Sequence, residues 1–176
     1  ISSYEDINSS VAIDDFRKIS PDLVISIRFG QIFKNEIIAI PKKGIINLHS
    51  GILPDFRGVI PSLWSVLSGR EFLGTTLHYI TDSKIDTGDI INSTRVKINK
   101  NRSLVSNISG LYNEGCELIL ECLKNIEDGK TIKALKQEVI GIGNYFSYPK
   151  ESDLQEFMKK MQLVNVDDEE IYKQWI

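Results

Sequence analysis

The segment from residue 22 to residue 47 constrains the fold of this chain more than any other. Asp22–Ile27 is an apolar-rich run typical of a buried strand. Lys34–Ile40 has the spacing of a short amphipathic helix that ends at a proline, and Ile45-Ile46 then forms a second strand that leads into Asn47. A strand, a helix and a second strand in this order predict a right-handed parallel crossover. The sequence therefore predicts an α/β fold.

The rest of the chain supplies further helices and an antiparallel pair of strands. The expected elements are helices over Val11–Ile19, Ser62–Leu67, Ile132–Gln137 and Glu151–Met161, a long helix capped by Ser103 and extending to Ile126, and strands over Phe72–Ile80 and Asp89–Ile98. Two parallel strands are too few for the centre of a doubly wound sheet. We therefore expect a parallel-to-mixed sheet that lacks its N-terminal strands in this chain, and the alternative is a mixed sheet completed by the antiparallel pair.

Two regions follow from these elements. Residues 1–140 are expected to form the N-terminally incomplete core, and residues 141–176 a C-terminal tail with a short helix. The long loop between His49 and Pro61 contains glycines and prolines without any period, and loops of that length in a compact domain are usually functional.

Composition narrows the classes of partner. The formal net charge of −3 is spread over mixed acidic and basic residues, which gives no signal for a nucleic acid or an anionic membrane. The sequence contains neither an apolar run of about 18 residues nor a signal peptide, so the expected location is the cytoplasm. Cys116 and Cys122 lie six positions apart in a helical stretch. That spacing suits neither a disulfide framework nor a metal site and favours buried free thiols.

Three polar residues follow predicted strands or lie in the loops beyond them: Asn47, His49 and Asp86. Open α/β sheets place ligands at such positions. An Asn amide and an imidazolium can donate to the oxyanion of an acyl transfer to an amine. A carboxylate beside the imidazole favours its charged form and can accept the proton that the amine loses. Taken singly, Asn-x-His occurs by chance, and an Asp in such a loop is more often a turn former.

Four separate stretches, however, match one family signature in order and spacing. They are NLHSGILPDFRG at 47–58, PSLW at 61–64, GTTLH at 74–78 and IDTGDII at 85–91. The chain thereby resembles the folate-dependent formyltransferases over about residues 21–126. The resemblance implies a Rossmann-like catalytic core that uses 10-formyltetrahydrofolate as cosubstrate. It also implies that Asn47 and His49 polarise the formyl carbonyl, and that Asp86 supports His49 and the proton transfer.

The resemblance further implies where the folate lies. It would contact Gln31, Ile32 and Phe33, and the backbone of residues 80–86, including Ile80 and Asp82. One departure is visible, because Ser50-Gly51 stands where many relatives have a Gly-Ser or Pro-Ser pair, and this bears on the shape of the loop.

The amine acceptor is expected to be a small molecule. Relatives that act on methionyl-tRNA carry an additional basic C-terminal domain, and this sequence ends in an acidic tail. Residues 143–149 resemble the tail of sugar N-formyltransferases, which predicts a nucleotide-linked amino sugar as substrate; an aromatic strap packed on the sheet is the alternative. Glycinamide ribonucleotide formylation, formyltetrahydrofolate hydrolysis and a non-catalytic folate-binding remnant remain open, as does a homodimer. His78 and Trp64 are expected to be structural.

Overall fold

The computed structural model describes residues 3–141 and 143–169, which are arranged around a mixed four-stranded sheet. In chain order the elements are α1 (Ser10–Ile19), β1 (Val24–Ile27), α2 (Asn35–Ile38), β2 (Ile45–His49), β3 (Arg57–Gly58), α3 (Pro61–Leu67), β4 (Phe72–Leu73), β5 (Thr76–Ile80), β6 (Ile90–Ser93), β7 (Val96–Lys97), α4 (Leu104–Glu127), α5 (Gln137–Ile140), β8 (Tyr145–Phe146), α6 (Glu151–Met158) and a 3-10 turn (Val166–Asp168).

The main sheet has the strand order β1-β2-β5-β6. β1 and β2 are parallel, with Ser26 opposite Asn47, so the predicted parallel pair is confirmed. β5 then pairs with β2 in antiparallel fashion, with Asn47 opposite His78, and β6 pairs antiparallel with β5. The expected mixed sheet is therefore confirmed.

The two long strands expected after residue 70 are each divided in two. β5 and β6 belong to the main sheet, whereas β4 and β7 form a separate antiparallel pair. The division falls at Gly74, where a Cβ atom would collide with the carbonyl of Thr94. Thr75 follows, and its N–H donates to the Thr94 hydroxyl at 3.1 Å instead of continuing a regular ladder. The antiparallel pairing was predicted correctly, and the break was not.

Alternate residues of β2 face opposite sides of the sheet. Ile46 and Leu48 pack in a cluster with residues of α4, whereas Ile45 packs with residues of α1 and α2. Asn47 and His49 therefore lie on the same face as Ile45. The pleat of one short strand thus separates the residues that bury the sheet against α4 from the polar residues of interest.

The long helix α4 begins after Ser103, as the sequence predicts. The Ser103 hydroxyl accepts a hydrogen bond from the N–H of Ser106 at 3.0 Å, which caps the first turn. Cys122 lies on the buried stripe of this helix, but Cys116 is exposed. The expectation of two buried thiols is wrong for Cys116, because its neighbour Gly115 occupies the position that faces the sheet.

The short helix expected over Ile132–Gln137 is wrong. Leu135 instead exchanges two backbone hydrogen bonds with Ile90, both of 2.8 Å, and extends the edge of β6. The helical turn α5 begins only at Gln137. This pairing joins residues far apart in sequence, and local periodicity carries no signal for it.

Residues after 150 pack into the same core as the strands and helices before them. Phe157 of α6 is completely buried and shares a cluster with Leu63 and Leu111. The Ser103 hydroxyl also donates to Asp168 at 2.7 Å, so the start of α4 is tied to the 3-10 turn. Residues 170–176 of the expected tail lie outside the described residues. Within the described part of the chain, no helix is long and apolar enough to cross a bilayer.

Candidate active site

Asn47, His49 and Asp86 converge on one cleft of about 530 Å³ at the carboxyl ends of β1 and β2. Ligand sites in proteins commonly have volumes of about 300–1,000 Å³. The five residues expected to contact folate line the same cleft. The described residues contain no group of three or more His, Cys, Asp or Glu side chains placed to hold a metal ion.

Asp86 occupies the centre of the polar cluster. Its backbone is in the left-handed region, with φ of 55°, a conformation that Asp adopts more readily than most residues. One carboxylate oxygen accepts the N–H of Gly58 at 2.9 Å and lies 3.4 Å from Nδ1 of His49. The other oxygen lies 3.5 Å from Nε2 of His78. The carboxylate is therefore flanked by two imidazole rings.

The protonation pattern of His49 follows from its partner. Nε2 is 2.8 Å from the carbonyl oxygen of Phe56, and because a carbonyl only accepts, Nε2 must carry a proton. Nδ1 is then the nitrogen left to exchange a proton, and it faces Asp86. Gly51 protects this arrangement, since a Cβ atom there would lie 2.7 Å from Nε2 of His49. The Ser50-Gly51 pair therefore places a residue without a side chain where the backbone packs closely against the His49 imidazole.

His78 belongs to the cluster, contrary to the expectation that it is only structural. Its Nδ1 donates to the carbonyl of Tyr79 at 2.8 Å, so Nε2 is an acceptor in the neutral ring. The Asn47 side-chain amide donates to that nitrogen at 3.1 Å. The antiparallel register brings the two residues together, because Asn47 and His78 are direct partners across β2 and β5. His78 thus fixes the orientation of the Asn47 amide, which retains a second N–H.

Burial decides the charge of His49. Desolvation lowers the pKa of His49 below its ordinary value of 6.5, and the neighbouring Asp86 carboxylate only partly opposes that shift. Asp86 favours the charged form of the imidazole, as expected, but burial outweighs this effect, so the His49 pKa lies below 6.5. A neutral His49 presents an unprotonated Nδ1 to Asp86.

Asp86 remains ionised. Burial raises the pKa of the Asp86 carboxyl, but His78, His49 and the N–H of Gly58 together lower it more, so that it lies below the ordinary value of 3.8. At neutral pH a charged carboxylate therefore lies beside Nδ1 of His49 and Nε2 of His78.

Gln137 holds the loop that carries Asp86, a role that no motif or periodicity predicts. Its side-chain NH₂ donates to the carbonyls of Asp86 and Gly88, each at 2.8 Å. Its side-chain oxygen accepts two hydrogen bonds from Arg57, at 3.1 and 2.9 Å. Gln137 is buried, and all of its hydrogen-bonding positions are used. It thus ties the Asp86 loop to the segment that follows His49.

The residues expected at the folate side contribute in different ways. The Gln31 amide is engaged with the N-terminal segment, accepting from the N–H of Ile7 at 2.7 Å and donating to the carbonyl of Glu5 at 3.1 Å. Phe33 is buried in the core, whereas Ile32 presents an exposed side chain. Gln31 and Phe33 thus shape the wall of the cleft.

The other two folate-side residues flank the turn that leads to Asp86. Ile80 ends β5 and packs at the edge of the cluster around Ile45. The Asp82 carboxylate accepts the N–H of Lys84 at 2.8 Å, which closes the turn.

The aromatic segment after Gly143 forms a strap beside the cleft. Phe146 stacks on Phe56 and Trp64, with ring centroids 5.6 and 5.0 Å apart, and β8 pairs with β3. Trp64 also packs against the core cluster around Leu63, in keeping with its expected structural role. Tyr148, at the end of the strap, lines the cleft and is 75% exposed.

Comparison with known proteins agrees with this geometry. The family model for formyl transferase matches residues 5–121. The methionyl-tRNA formyltransferase of Clostridioides difficile (strain 630) is 38% identical over 117 residues, which are 66% of this chain and 38% of that protein. The chain spans about two fifths of the length of the curated relatives it matches, with 38% to 41% of each covered in the first three.

Two solved structures are similar over more of the chain. The formyltransferase PseJ from Anoxybacillus kamchatkensis, in complex with UDP-4,6-dideoxy-4-formamido-L-AltNAc and tetrahydrofolate, has a TM-score of 0.68 at 29% identity, covering 90% of this chain and 77% of that one. An N-formyltransferase from Helicobacter canadensis, in complex with folinic acid and dTDP-3-aminofucose, has a TM-score of 0.61 at 31% identity, covering 73% of this chain and 45% of that one.

Proposed function

Because the chain belongs to the formyl transferase family, we propose that it takes part in the transfer of a formyl group from 10-formyltetrahydrofolate to a primary amine. The observation that carries the proposal is the convergence of Asn47, His49, His78 and Asp86 on one cleft. The cleft has the volume of a small-molecule site, and the folate would supply the activated formyl group.

Asn47 stabilises the negative charge that develops on the formyl oxygen as the amine attacks. One N–H of its amide is held by Nε2 of His78 at 3.1 Å, and the second N–H remains for the oxyanion. A donor that is oriented in advance is more effective than one that must reorganise, and removing one such donor typically reduces kcat by about 10²–10³-fold.

His49 accepts the proton that the amine loses. Its Nε2 is committed to the Phe56 carbonyl, so the proton enters at Nδ1, which lies 3.4 Å from the Asp86 carboxylate. The imidazolium that forms is stabilised by Asp86, and Asp86 itself stays ionised. The proton is subsequently available for the folate nitrogen that leaves, so that the cluster returns to its initial state.

The acceptor that we propose is the amine of a nucleotide-linked amino sugar. One similar structure contains a UDP-linked formamido sugar and another contains dTDP-3-aminofucose. The first covers 90% of this chain, which extends beyond the 5–121 match of the family model. The strap with Tyr148 supports the same choice, because it places an exposed aromatic ring at the cleft. Methionyl-tRNA is the second candidate, since the curated relatives of similar sequence carry that name.

A panel of acceptors tests the proposal. The full-length gene product is incubated with 10-formyltetrahydrofolate and, separately, with UDP- and dTDP-linked amino sugars, methionyl-tRNA, glycinamide ribonucleotide or water alone. Mass spectrometry of the products should show a gain of one formyl group on the amino sugar. Formylation of methionyl-tRNA alone would establish the second candidate, and binding of folate without any transfer would support a non-catalytic role.

Asn47→Ala is the variant that separates catalysis from binding. We expect its kcat to fall by about 10²–10³-fold with little change in folate affinity. An Asn92→Ala variant serves as the control, because Asn92 is an exposed residue of β6 that does not line the cleft. A wild-type rate in Asn47→Ala would refute the role of the amide.

A further inference from the structure

Arg28 is a cation of the cleft that the proposed chemistry does not use. It follows β1 directly and lines the cleft at the carboxyl edge of the sheet. Its φ of 50° lies in the left-handed region, which is uncommon for a residue other than glycine. Backbone outliers of this kind concentrate at ligand sites, where the surrounding structure maintains them.

The guanidinium of Arg28 rests on an aromatic ring instead of a carboxylate. Its central carbon lies 5.8 Å from the ring centroid of Tyr112 of α4. By contrast, Arg17 and Arg70 each form an ion pair of 2.8–2.9 Å with an acidic side chain. No ion pair of Arg28 is found among the described residues. Stacking on a ring holds the guanidinium plane and leaves its N–H edges available, which is the arrangement that suits bidentate binding of a phosphate.

The carboxylates of the cleft do not neutralise Arg28. Asp86 is held between His49 and His78, and Asp82 accepts the N–H of Lys84. The partner of Arg28, Tyr112, belongs to α4, and none of the residues expected to contact folate lies on that helix. Arg28 precedes the predicted folate segment by three residues, and its guanidinium contacts Tyr112 of α4, outside the reacting groups.

An exposed ring completes the features that a nucleotide requires. Tyr148 of the strap lines the cleft with 75% of its surface exposed, and its hydroxyl and ring have no partner among the described residues. Nucleobases stack on exposed aromatic rings of this kind. A fixed cation and an unpartnered ring thus line the same cleft.

We propose that Arg28 and Tyr148 form the subsite for a nucleoside diphosphate. Arg28, which stacks on Tyr112, binds the diphosphate, and Tyr148 stacks on the base. The inference rests on the proposed function, since it assigns the part of the acceptor remote from the amine. In this proposal the enzyme recognises the acceptor mainly through its nucleotide. The carboxylates of a folate glutamate are the other anions that could reach Arg28.

Steady-state kinetics of the full-length gene product distinguish the two anions. In Arg28→Gln the KM for a UDP-linked amino sugar should rise by about ten- to a hundredfold, with kcat nearly unchanged and the KM for 10-formyltetrahydrofolate within about twofold. Arg28→Lys should recover only part of the loss, because an ammonium lacks the planar fork. Tyr148→Ala should raise the same KM, whereas Tyr148→Phe should not. Arg95→Gln is the matched control, since Arg95 is exposed and lies outside the cleft.

Calorimetric titration with UDP alone tests the subsite without any catalysis. Wild type should bind UDP, and Arg28→Gln and Tyr148→Ala should each weaken that binding by a factor similar to the change in KM. UDP binding of this kind in a protein that formylates no amino sugar would uphold the subsite and remove the amino sugar as the proposed acceptor. An unchanged KM and UDP affinity in Arg28→Gln, or a rise in the folate KM instead, would overturn the subsite.

Discussion

Carbonyl partners fix the chemistry of the two histidines. The Phe56 carbonyl fixes the proton of His49 on Nε2, and the Tyr79 carbonyl fixes that of His78 on Nδ1. The two remaining nitrogens both face Asp86. The two rings differ in the nitrogen that a carbonyl occupies and in the second partner, because Nε2 of His78 also accepts the Asn47 amide at 3.1 Å.

Asp86→Asn tests the link between the carboxylate and His49. The Asp86 charge opposes the lowering of the His49 pKa by burial, so its removal should lower that pKa further. The acidic limb of the profile of kcat/KM against pH should move to lower pH, and the plateau should fall by about 10²-fold or more because the imidazolium loses its counter-ion. A profile that falls in height without moving would contradict the proton-transfer role of His49.

The motif predicts that Asn47, His49 and Asp86 belong to one site, and the three residues line one cleft; their catalytic roles stay predictions. His78 could not, because its role depends on pairing with Asn47 across two strands that are 31 residues apart. Gln137 was missed for the same reason, since its partners in the Asp86 loop are 49 and 51 positions away. The net lowering of the His49 pKa was not predicted, because burial is a property of the folded chain and not of neighbouring residue types.

Gln137→Glu tests the support of the Asp86 loop. The carboxylate can still accept from Arg57, but the carbonyls of Asp86 and Gly88 lose their donors. We expect a loss of about 2 kcal/mol or more in the free energy of unfolding, since buried acceptors left unsatisfied cost about 1–3 kcal/mol each. kcat should fall as well, because the Asp86 carboxylate is no longer held beside His49. The control is Glu138→Gln, an exposed neighbour in α5, and equal behaviour of the two variants would exclude the positioning role.

At the scale of elements, local sequence patterns predicted where most helices and strands occur. They predicted less well where those elements end and which strands pair. α4 starts at its predicted cap, and β1 and β2 are parallel as expected. The division of the later strands at Gly74 and the β-bridge at Leu135 depend on contacts with Thr94 and Ile90, which no periodicity records.

Phe157→Ala tests how far α6 belongs to the core. Phe157 is completely buried among residues of α3 and α4, whereas its neighbour Met158 is 57% exposed. Loss of a buried phenyl group typically costs about 3–5 kcal/mol. Urea unfolding should show a loss of this size for Phe157→Ala and a change within about 0.5 kcal/mol for Met158→Ala. Similar small losses in both variants would show that the segment after residue 150 is a dispensable tail.

For the molecule as a whole, the buried cluster makes stability depend on pH in two windows. The pKa of His49 is lowered from 6.5 on folding, so below that pH the unfolded chain binds a proton that the folded chain does not. The free energy of unfolding should therefore fall as the pH decreases below about 6.5, by at most about 1.4 kcal/mol per pH unit for one proton. Asp86 has the same sign and adds a second loss below its ordinary pKa of 3.8.

His49→Gln isolates the first window. A glutamine amide can donate to the Phe56 carbonyl but does not titrate. The decline in the free energy of unfolding between about pH 6.5 and pH 4 should therefore become shallower, by a slope that corresponds to at most one proton. Asp86→Asn should have the opposite effect in that range, because the His49 pKa then falls further and the window in which only the unfolded chain is protonated widens. Urea unfolding midpoints between pH 7.5 and pH 4 measure both slopes. If His49→Gln and wild type decline in parallel, the burial of a neutral His49 does not govern the acid stability of the protein.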